Sequence, residues 1–356
     1  MRILIAPDSF KGTATARDAA EYIAAGIQEV LPDADITLLP LADGGEGTAS
    51  CFAGETITLP TTDAAGRLTE ASYIYNSETE EAFIDVAAAS GLPAVLDNPV
   101  PTTGDTYGTG VLIADAVTRG SRRITLGLGG SATVDGGTGI LVALGATAMN
   151  KEGHPLRQGG AALVDFDHFD TAQLNIPAAS VEWVLLADVT APATGPQGAA
   201  AVFGPQKGAT AEDVEKLEAG LATLCERCNI DPNRPGFGAA GGVPIALTWM
   251  STLLHGSEAA VHLLPGARVV AESMGLAQHL AEADLVITGE GSFDAQSAIG
   301  KVTGMVLDMA REANVRSALV AGGIDGAPEG VLTAELIDAD VRTQLIDAGR
   351  RLASQL

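Results

Sequence analysis

Short apolar runs alternate along the chain with longer stretches in which apolar positions recur every third or fourth residue. The short runs have the character of buried strands and the longer stretches that of amphipathic helices, so the alternation predicts an α/β protein. Strands are expected over 2–6, 35–41, 122–128, 181–187, 284–288 and 316–321. Helices are expected over 13–31, 106–117, 138–144, 210–228, 266–283 and 301–313, with Thr13 or Thr15 near the start of the first. From 56 to 86 the chain is more β-like: Ser72-Tyr-Ile-Tyr75 alternates, and 81–87 is expected as its hairpin partner. This Pro-interrupted middle differs from the two regular ends. Two domains are therefore expected: a Rossmann-like parallel-sheet α/β domain built from both termini (1–62 with 284–356), and an inserted mixed α/β domain (63–283). A small-molecule site is expected in the cleft between them.

With 46% apolar and 18% charged residues in 356, the chain can bury a large core and is expected to be folded. Acidic residues outnumber basic ones 45 to 20, a formal charge of −25 that disfavours nucleic acid and anionic membranes as partners. The apolar start Ile3-Leu-Ile-Ala6 is stopped by Pro7 and Asp8 and is too short for a signal peptide. No apolar run approaches the ~20 residues that span a bilayer, so a cytoplasmic protein is expected, and its expected state is a monomer or homodimer. Cys225 and Cys228 read as two thiols one helical turn apart rather than as a metal or redox pair. The five histidines are dispersed without metal-ligand spacing and read as structural or surface residues.

The most informative residues lie just past the end of each strand. The first strand ends in Pro7-Asp-Ser-Phe-Lys-Gly12 and the second in Asp43-Gly-Gly-Glu-Gly-Thr48. The strand at 122 runs into Gly127-Leu-Gly-Gly-Ser-Ala-Thr-Val-Asp-Gly-Gly137, that at 181 into Asp188, and that at 284 into Gly289-Glu-Gly-Ser-Phe-Asp294. Ligands of open parallel sheets bind beyond the carboxyl ends of the strands. Glycines let backbone N–H groups approach an anion, whereas carboxylates repel one unless a cation intervenes. Acid and glycine at five strand ends thus point to one composite site, or two facing sites, for Mg²⁺ with a phosphorylated ligand. Asp and Gly are also ordinary turn residues, but turns alone do not need Ser and Lys beside the acids. Of only five lysines, Lys11, Lys207 and Lys301 each adjoin a glycine, as expected of counter-charges for an anionic ligand.

Two familiar signatures fit poorly. The run Ala295-Gln-Ser-Ala-Ile-Gly300-Lys301-Val302 lacks the first glycine of a P-loop and the hydroxyl residue after its lysine. Gly127-x-Gly129-x-x-Ala132 matches a dinucleotide fingerprint, and a nicotinamide-dependent dehydrogenase would need Glu152 as its ribose-binding acid at a strand end. A non-catalytic two-lobed binding protein is a further alternative. The run Pro235-Gly-Phe-Gly-Ala-Ala-Gly-Gly242 is expected to form a backbone-lined loop at the site.

Taken in order, the motifs resemble the glycerate kinase family of the kind that forms 2-phosphoglycerate. The carriers are Ala6-Pro-Asp-Ser-Phe-Lys-Gly12, Ala42-Asp-Gly-Gly-Glu-Gly-Thr48, Tyr107-Gly-Thr-Gly110 and Leu128-Gly-Gly-Ser-Ala-Thr-Val-Asp-Gly-Gly137. Phe203-Gly-Pro-Gln-Lys-Gly-Ala209, Gly238-Ala-Ala-Gly-Gly242 and Ile287-Thr-Gly-Glu-Gly291 with Asp294, Gly300 and Lys301 complete the set. The resemblance implies ATP- and Mg²⁺-dependent phosphorylation of D-glycerate by two α/β domains. The chain departs from the family at Val189-Thr-Ala-Pro-Ala193, where Asn-Pro-Leu is usual, and at Ser297, where Thr is usual. Within that reading Gly129, Gly130 and Ser131 are expected to offer donors to ATP phosphates, with Lys207 as a further anion-binding group and Lys11 or Lys301 spreading transition-state charge. Two or three of Asp43, Glu46, Glu290 and Asp294 are expected to hold Mg²⁺. Asp188 is the expected base for the 2-hydroxyl, with Asp8 as the alternative, and Ser9 with Lys11 is expected to meet the glycerate carboxylate.

Overall fold

The computed structural model describes residues 1–10, 12–294, 301–337 and 340–356. The chain folds into two compact units, Met1–Asp43 with Pro265–Leu356, and Gly44–Leu264. The first unit begins with β1 (Arg2–Ile5), α1 (Ala16–Val30) and β2 (Asp35–Leu38). The second holds β3 (Glu55–Thr62), β4 (Leu68–Asn76), β5 (Glu81–Asp85), α2 (Val86–Ser90), α3 (Tyr107–Thr118), β6 (Arg123–Gly127), α4 (Thr138–Ala143) and β7 (Thr147–Met149). It continues with β8 (His168–Asp170), α5 (Ile176–Ala179), β9 (Glu182–Leu186), α6 (Ala199–Phe203), α7 (Ala211–Cys228), α8 (Val243–His255) and β10 (Val261–Leu264). The chain returns to the first unit through α9 (Gly266–Ser273), α10 (Leu276–Glu282), β11 (Leu285–Glu290), α11 (Val302–Glu312), β12 (Arg316–Ala321), β13 (Leu332–Glu335) and α12 (Val341–Ala353).

The first unit is a parallel sheet in the order β13-β12-β11-β1-β2, with Ile3 opposite both Leu285 and Ile36. Every residue of β11 is buried, which is why it reads as a continuous apolar run rather than an alternation. Thr15 caps α1 by accepting the Asp18 N–H at 3.1 Å. Helices α1 and α12 cross at two glycines: a Cβ on Gly26 would lie 1.9 Å from the Ile346 carbonyl oxygen, and one on Gly349 2.3 Å from that of Ile23. Ile23, Ile27, Leu345 and Leu352 close the core between these helices and the sheet.

The second unit is a mixed sheet in the order β10-β9-β6-β5-β4-β3, with a two-stranded β7-β8 sheet beside it. Strands β5, β6, β9 and β10 are parallel, and β4 runs antiparallel to both β3 and β5. The expected pairing of the 72–75 run with 81–87 is therefore present, with Ile74 opposite Phe83. Trp183 of β9 is fully buried at the centre of this unit's core.

The α/β class matches the expectation from the hydrophobic pattern, with several differences in detail. The unit boundaries lie at 43/44 and 264/265 instead of 62/63 and 283/284. Strand β3 pairs along its whole length with β4, and α9 and α10 pack against α11 and β1. The single helix expected over 266–283 is two, broken at Gly275, whose φ of +67° stops α9. Helix α8 escapes the sequence pattern because it is apolar around most of its circumference and has no amphipathic period. Strands β10 and β13 are short, and α12 lies in a part of the tail for which the pattern predicts no element.

Candidate active site

In the first unit the chain leaves β1 in one direction across the sheet and β11 in the other, so strand order reverses between them. A crevice forms where such reversals occur, at the carboxyl ends of the strands. Here it is a cavity of about 710 Å³ lined by Asp8 and Ser9 after β1, by Glu290, Ser292 and Asp294 from the end of β11 onward, and by Lys301. The Asp8 N–H donates to the Gly289 carbonyl at 2.9 Å, which carries the β1–β11 pairing beyond the strand. Gly289 must be glycine, since a Cβ would stand 2.3 Å from the Val320 carbonyl oxygen. Asp8 and Glu290 are buried, and Asp294 is exposed. Lys301 is the N-cap residue of α11, so an ammonium group and a helix N-terminus border the same acids. Glu290 is the last residue of β11 rather than part of the loop after it, so the strand itself holds it in place.

In the second unit the carboxyl ends of β5, β6 and β9 are covered by the loop at 44–49. Asp85, at the end of β5, accepts the N–H groups of Gly47 at 2.9 Å and Ala49 at 3.0 Å. The Gly129 N–H donates to the Gly44 carbonyl at 2.9 Å. A Cβ on Gly129 would lie 2.6 Å from Gly45 Cα, and one on Gly44 2.9 Å from the Leu186 carbonyl oxygen. Two glycine-rich segments thus touch backbone to backbone over the strand ends. Glu46 is exposed on the covering loop, and Asp188 stands half-buried just past β9.

The segment after β6 is held at successive points. The Leu92 N–H donates to the Gly130 carbonyl at 2.9 Å, and the Ala132 N–H to the Ser90 carbonyl at 2.8 Å. Of the three N–H groups expected to meet phosphate, that of Gly129 is taken by Gly44. Those of Gly130 and Ser131 meet no acceptor among the described residues. Gly130 is exposed and has φ of +73°. Two consecutive unengaged N–H groups at the carboxyl edge of a sheet are suited to an anion.

Lys207 is 4% exposed and lies beneath this segment, its ammonium donating to the Ser131 hydroxyl at 3.0 Å and the Thr133 carbonyl at 2.7 Å. Burial pulls the Lys207 ammonium down to about 7, while the charge of Asp135 opposes that fall. Asp135, fully buried, joins the starts of two helices. It accepts from the Thr106 N–H at 3.0 Å, the Thr106 hydroxyl at 2.8 Å, the Gly137 N–H at 3.1 Å and the Gly139 N–H at 3.0 Å. The Thr106 hydroxyl in turn accepts the Ile140 N–H at 3.1 Å, so the first turn of α4 is satisfied from outside the helix. Neighbouring Asp105 is pushed up to about 7 by burial and by the charge of Asp135.

The expected site residues therefore divide. Asp8, Ser9, Glu290, Asp294 and Lys301 meet at the cavity of the first unit. Gly129, Gly130, Ser131 and Lys207 form one hydrogen-bonded segment of the second, with Glu46 and Asp188 on adjacent strand-end loops. Asp43 is the last residue of the first unit and is half-buried. Lys11 and 295–300, with Ser297 and Gly300, lie outside the described residues. Among the described residues no three His, Cys, Asp or Glu side chains are grouped to hold a metal. Three features escape the sequence: Asp85, Asp105 and the double anchoring by Asp135. Asp85 shows only as an acid at the end of an apolar strand, and Asp105 and Asp135 as acids beside glycine in loops, so nothing local distinguishes them from turn residues.

Other expectations resolve as packing. Glu152 lies in the turn after β7, its N–H on the Asn150 side chain, and the first helix after the 127–132 run starts only at Thr138. A dinucleotide fingerprint needs its glycines to open a helix directly and its acid on a strand end, so the dehydrogenase reading finds no support. The glycine-rich run at 236–242 is buried: Gly238 donates to the Ala191 carbonyl and Gly136 to that of Gly241, both at 2.9 Å. It packs against the segments after β6 and β9. Burial pushes the thiols of Cys225 and Cys228 up to about 12, away from thiolate chemistry.

Comparison with known proteins agrees with the resemblance of the motifs. The model of the glycerate kinase family matches residues 3–345. The chain is 39% identical to the glycerate kinase of Haemophilus influenzae over 334 residues, 90% of this chain and 86% of that protein. It is 38% identical to the glycerate 2-kinase of Escherichia coli over 324 residues, 88% of this chain and 82% of that one. A Salmonella typhimurium crystal structure assigned as a glycerate kinase 2 superposes with a TM-score of 0.81 at 35% identity, covering 100% of this chain and 98% of the other.

Proposed function

The chain belongs to the glycerate kinase family and is a kinase, and from that premise we propose that it transfers the γ-phosphoryl group of ATP to the 2-hydroxyl of D-glycerate, with Mg²⁺. The observation that carries the phosphate part of this reading is the pair of unengaged N–H groups at Gly130 and Ser131. Such donors are fixed before the ligand arrives and need no reorganisation during transfer.

Phosphoryl transfer asks for positioning and charge neutralisation more than for covalent chemistry. Gly130 and Ser131 take phosphate oxygens, and Lys301, with Lys11, offsets charge gathering on the transferred group. Asp188 accepts the proton of the 2-hydroxyl as that oxygen attacks phosphorus, with Asp8 as the alternative acceptor. Ser9 with Lys11 receives the glycerate carboxylate. Magnesium prefers one or two carboxylates plus phosphate and water oxygens over an all-protein cage. Glu290 and Asp294, both on the first unit's cavity, fit that donor set. When bound, the ion neutralises phosphate charge.

The test is ADP release with D-glycerate, ATP and Mg²⁺, with the phosphoglycerate then identified. Formation of 2-phosphoglycerate is expected. Formation of the 3-phospho isomer would overturn the choice of hydroxyl, and ATP binding without turnover would overturn the choice of acceptor and direct attention to 189–193.

A further inference from the structure

Lysine is scarce in this chain, and one of its five is buried where an apolar side chain could sit. The turn Pro205–Lys207 holds it there: the Lys207 N–H donates to the Gly204 carbonyl at 2.9 Å. Gly208 closes the turn with φ of +91°, packed so that a Cβ would be 2.7 Å from Pro99 Cβ. Both acceptors of the ammonium belong to the segment after β6, and they flank Ala132, whose own N–H is tied to Ser90. With Gly129 bonded to Gly44 and the Gly130 carbonyl bonded to Leu92, Lys207 secures the remaining side of the segment. The groups left over are the N–H groups of Gly130 and Ser131.

We infer that Lys207 is a positioning residue that acts through Ser131 and Thr133, holding the 129–133 segment so that the N–H groups of Gly130 and Ser131 stay available for phosphate. The inference rests on the reading of that segment as the phosphate-binding loop. Replacing Lys207 alone leaves the buried Thr133 carbonyl and Asp135 without their cation, so a change in stability does not by itself report a positioning role. The effect of Lys207 lies in fixing a polar backbone in one arrangement, and a small misplacement at a reacting centre can cost about 100-fold.

Lys207→Met tests the positioning role. The expected variant still folds, raises KM for ATP about 10-fold or more and leaves KM for glycerate nearly unchanged. Amide exchange over 129–133 of the ligand-free protein should quicken. Ser131→Ala removes one acceptor without touching the lysine, so it serves if the methionine variant fails to fold. It should also raise KM for ATP, and adding it to Lys207→Met should add little. Unchanged exchange and unchanged KM for ATP in either folded variant overturn the positioning role. In wild type, ATP should protect the same amides. Absence of that protection overturns the loop assignment itself, whereas protection without a variant effect overturns only the role of Lys207.

Discussion

Asp188 illustrates how much a single carboxylate can decide. It stands half-buried just past β9 and is the proposed acceptor of the proton from the acceptor hydroxyl. Asp188→Asn keeps the shape and removes the basic oxygen, so kcat should fall by ~10²-fold or more with the fold intact. Near-normal turnover in steady-state assays would pass the role to Asp8. Asp105 makes a different prediction. Its carboxyl is pushed up to about 7 in the fold, whereas an unfolded Asp titrates near 3.9. Between those values the folded state binds the proton that the unfolded state has released. The contribution of Asp105 is therefore fully present at low pH and is lost as pH rises through about 7, by at most about 1.4 kcal/mol per pH unit. Lys207 has the opposite sign, because its lowered value makes stability rise between about 7 and the ordinary lysine range. Asp105→Asn should flatten the acid limb, so its gain in urea midpoint over wild type should be larger at pH 8 than at pH 5.

Among the elements, glycine contacts set how closely backbones approach. Gly129→Ala would place a methyl 2.6 Å from Gly45 Cα, and neither backbone can yield without moving the loop that Asp85 holds. The expected result is a drop in kcat/KM for ATP of about 10-fold or more, with a smaller change in midpoint, read from kinetics and melting side by side. Gly349→Ala makes the complementary case in the other unit. Its methyl would stand 2.3 Å from the Ile23 carbonyl oxygen and force α1 and α12 apart. Overpacking of this kind costs about 1–3 kcal/mol, to be read as a lowered urea midpoint. Positive φ is not the reason at either position, so close approach alone excludes larger residues.

At the scale of the whole molecule, Gly44–Leu264 is one uninterrupted stretch with its own six-stranded sheet and its own core around Trp183. A segment so equipped should fold without the rest. Expressed alone, it should give a single cooperative thermal transition by circular dichroism and a dispersed amide NMR spectrum. A non-cooperative melt would mean that its core depends on the first unit. No helix among the described residues is long and apolar enough to cross a membrane.

The hydrophobic pattern by itself determined the α/β class and most of its strands, because burial on a strand or helix imposes a period that neighbouring residues reveal. The motifs determined the family, since seven runs in order leave little freedom of assignment. Lys216, which adjoins no glycine, is exposed and pairs along α7 with Glu212 at 2.7 Å. Tertiary structure decided how the chemistry was distributed. Five strand ends with similar acids and glycines belong to two different sheets, and strand order depends on register between segments far apart in the chain. Gly129 and Gly130 are alike in sequence, yet one N–H is engaged by Gly44 and the other meets no acceptor among the described residues. Lys207 and Lys301 both adjoin glycine, yet one ammonium points into the fold and the other residue lines a cavity. Local spacing reports which residues are available; which donors and charges are already bonded is settled only when distant backbones meet.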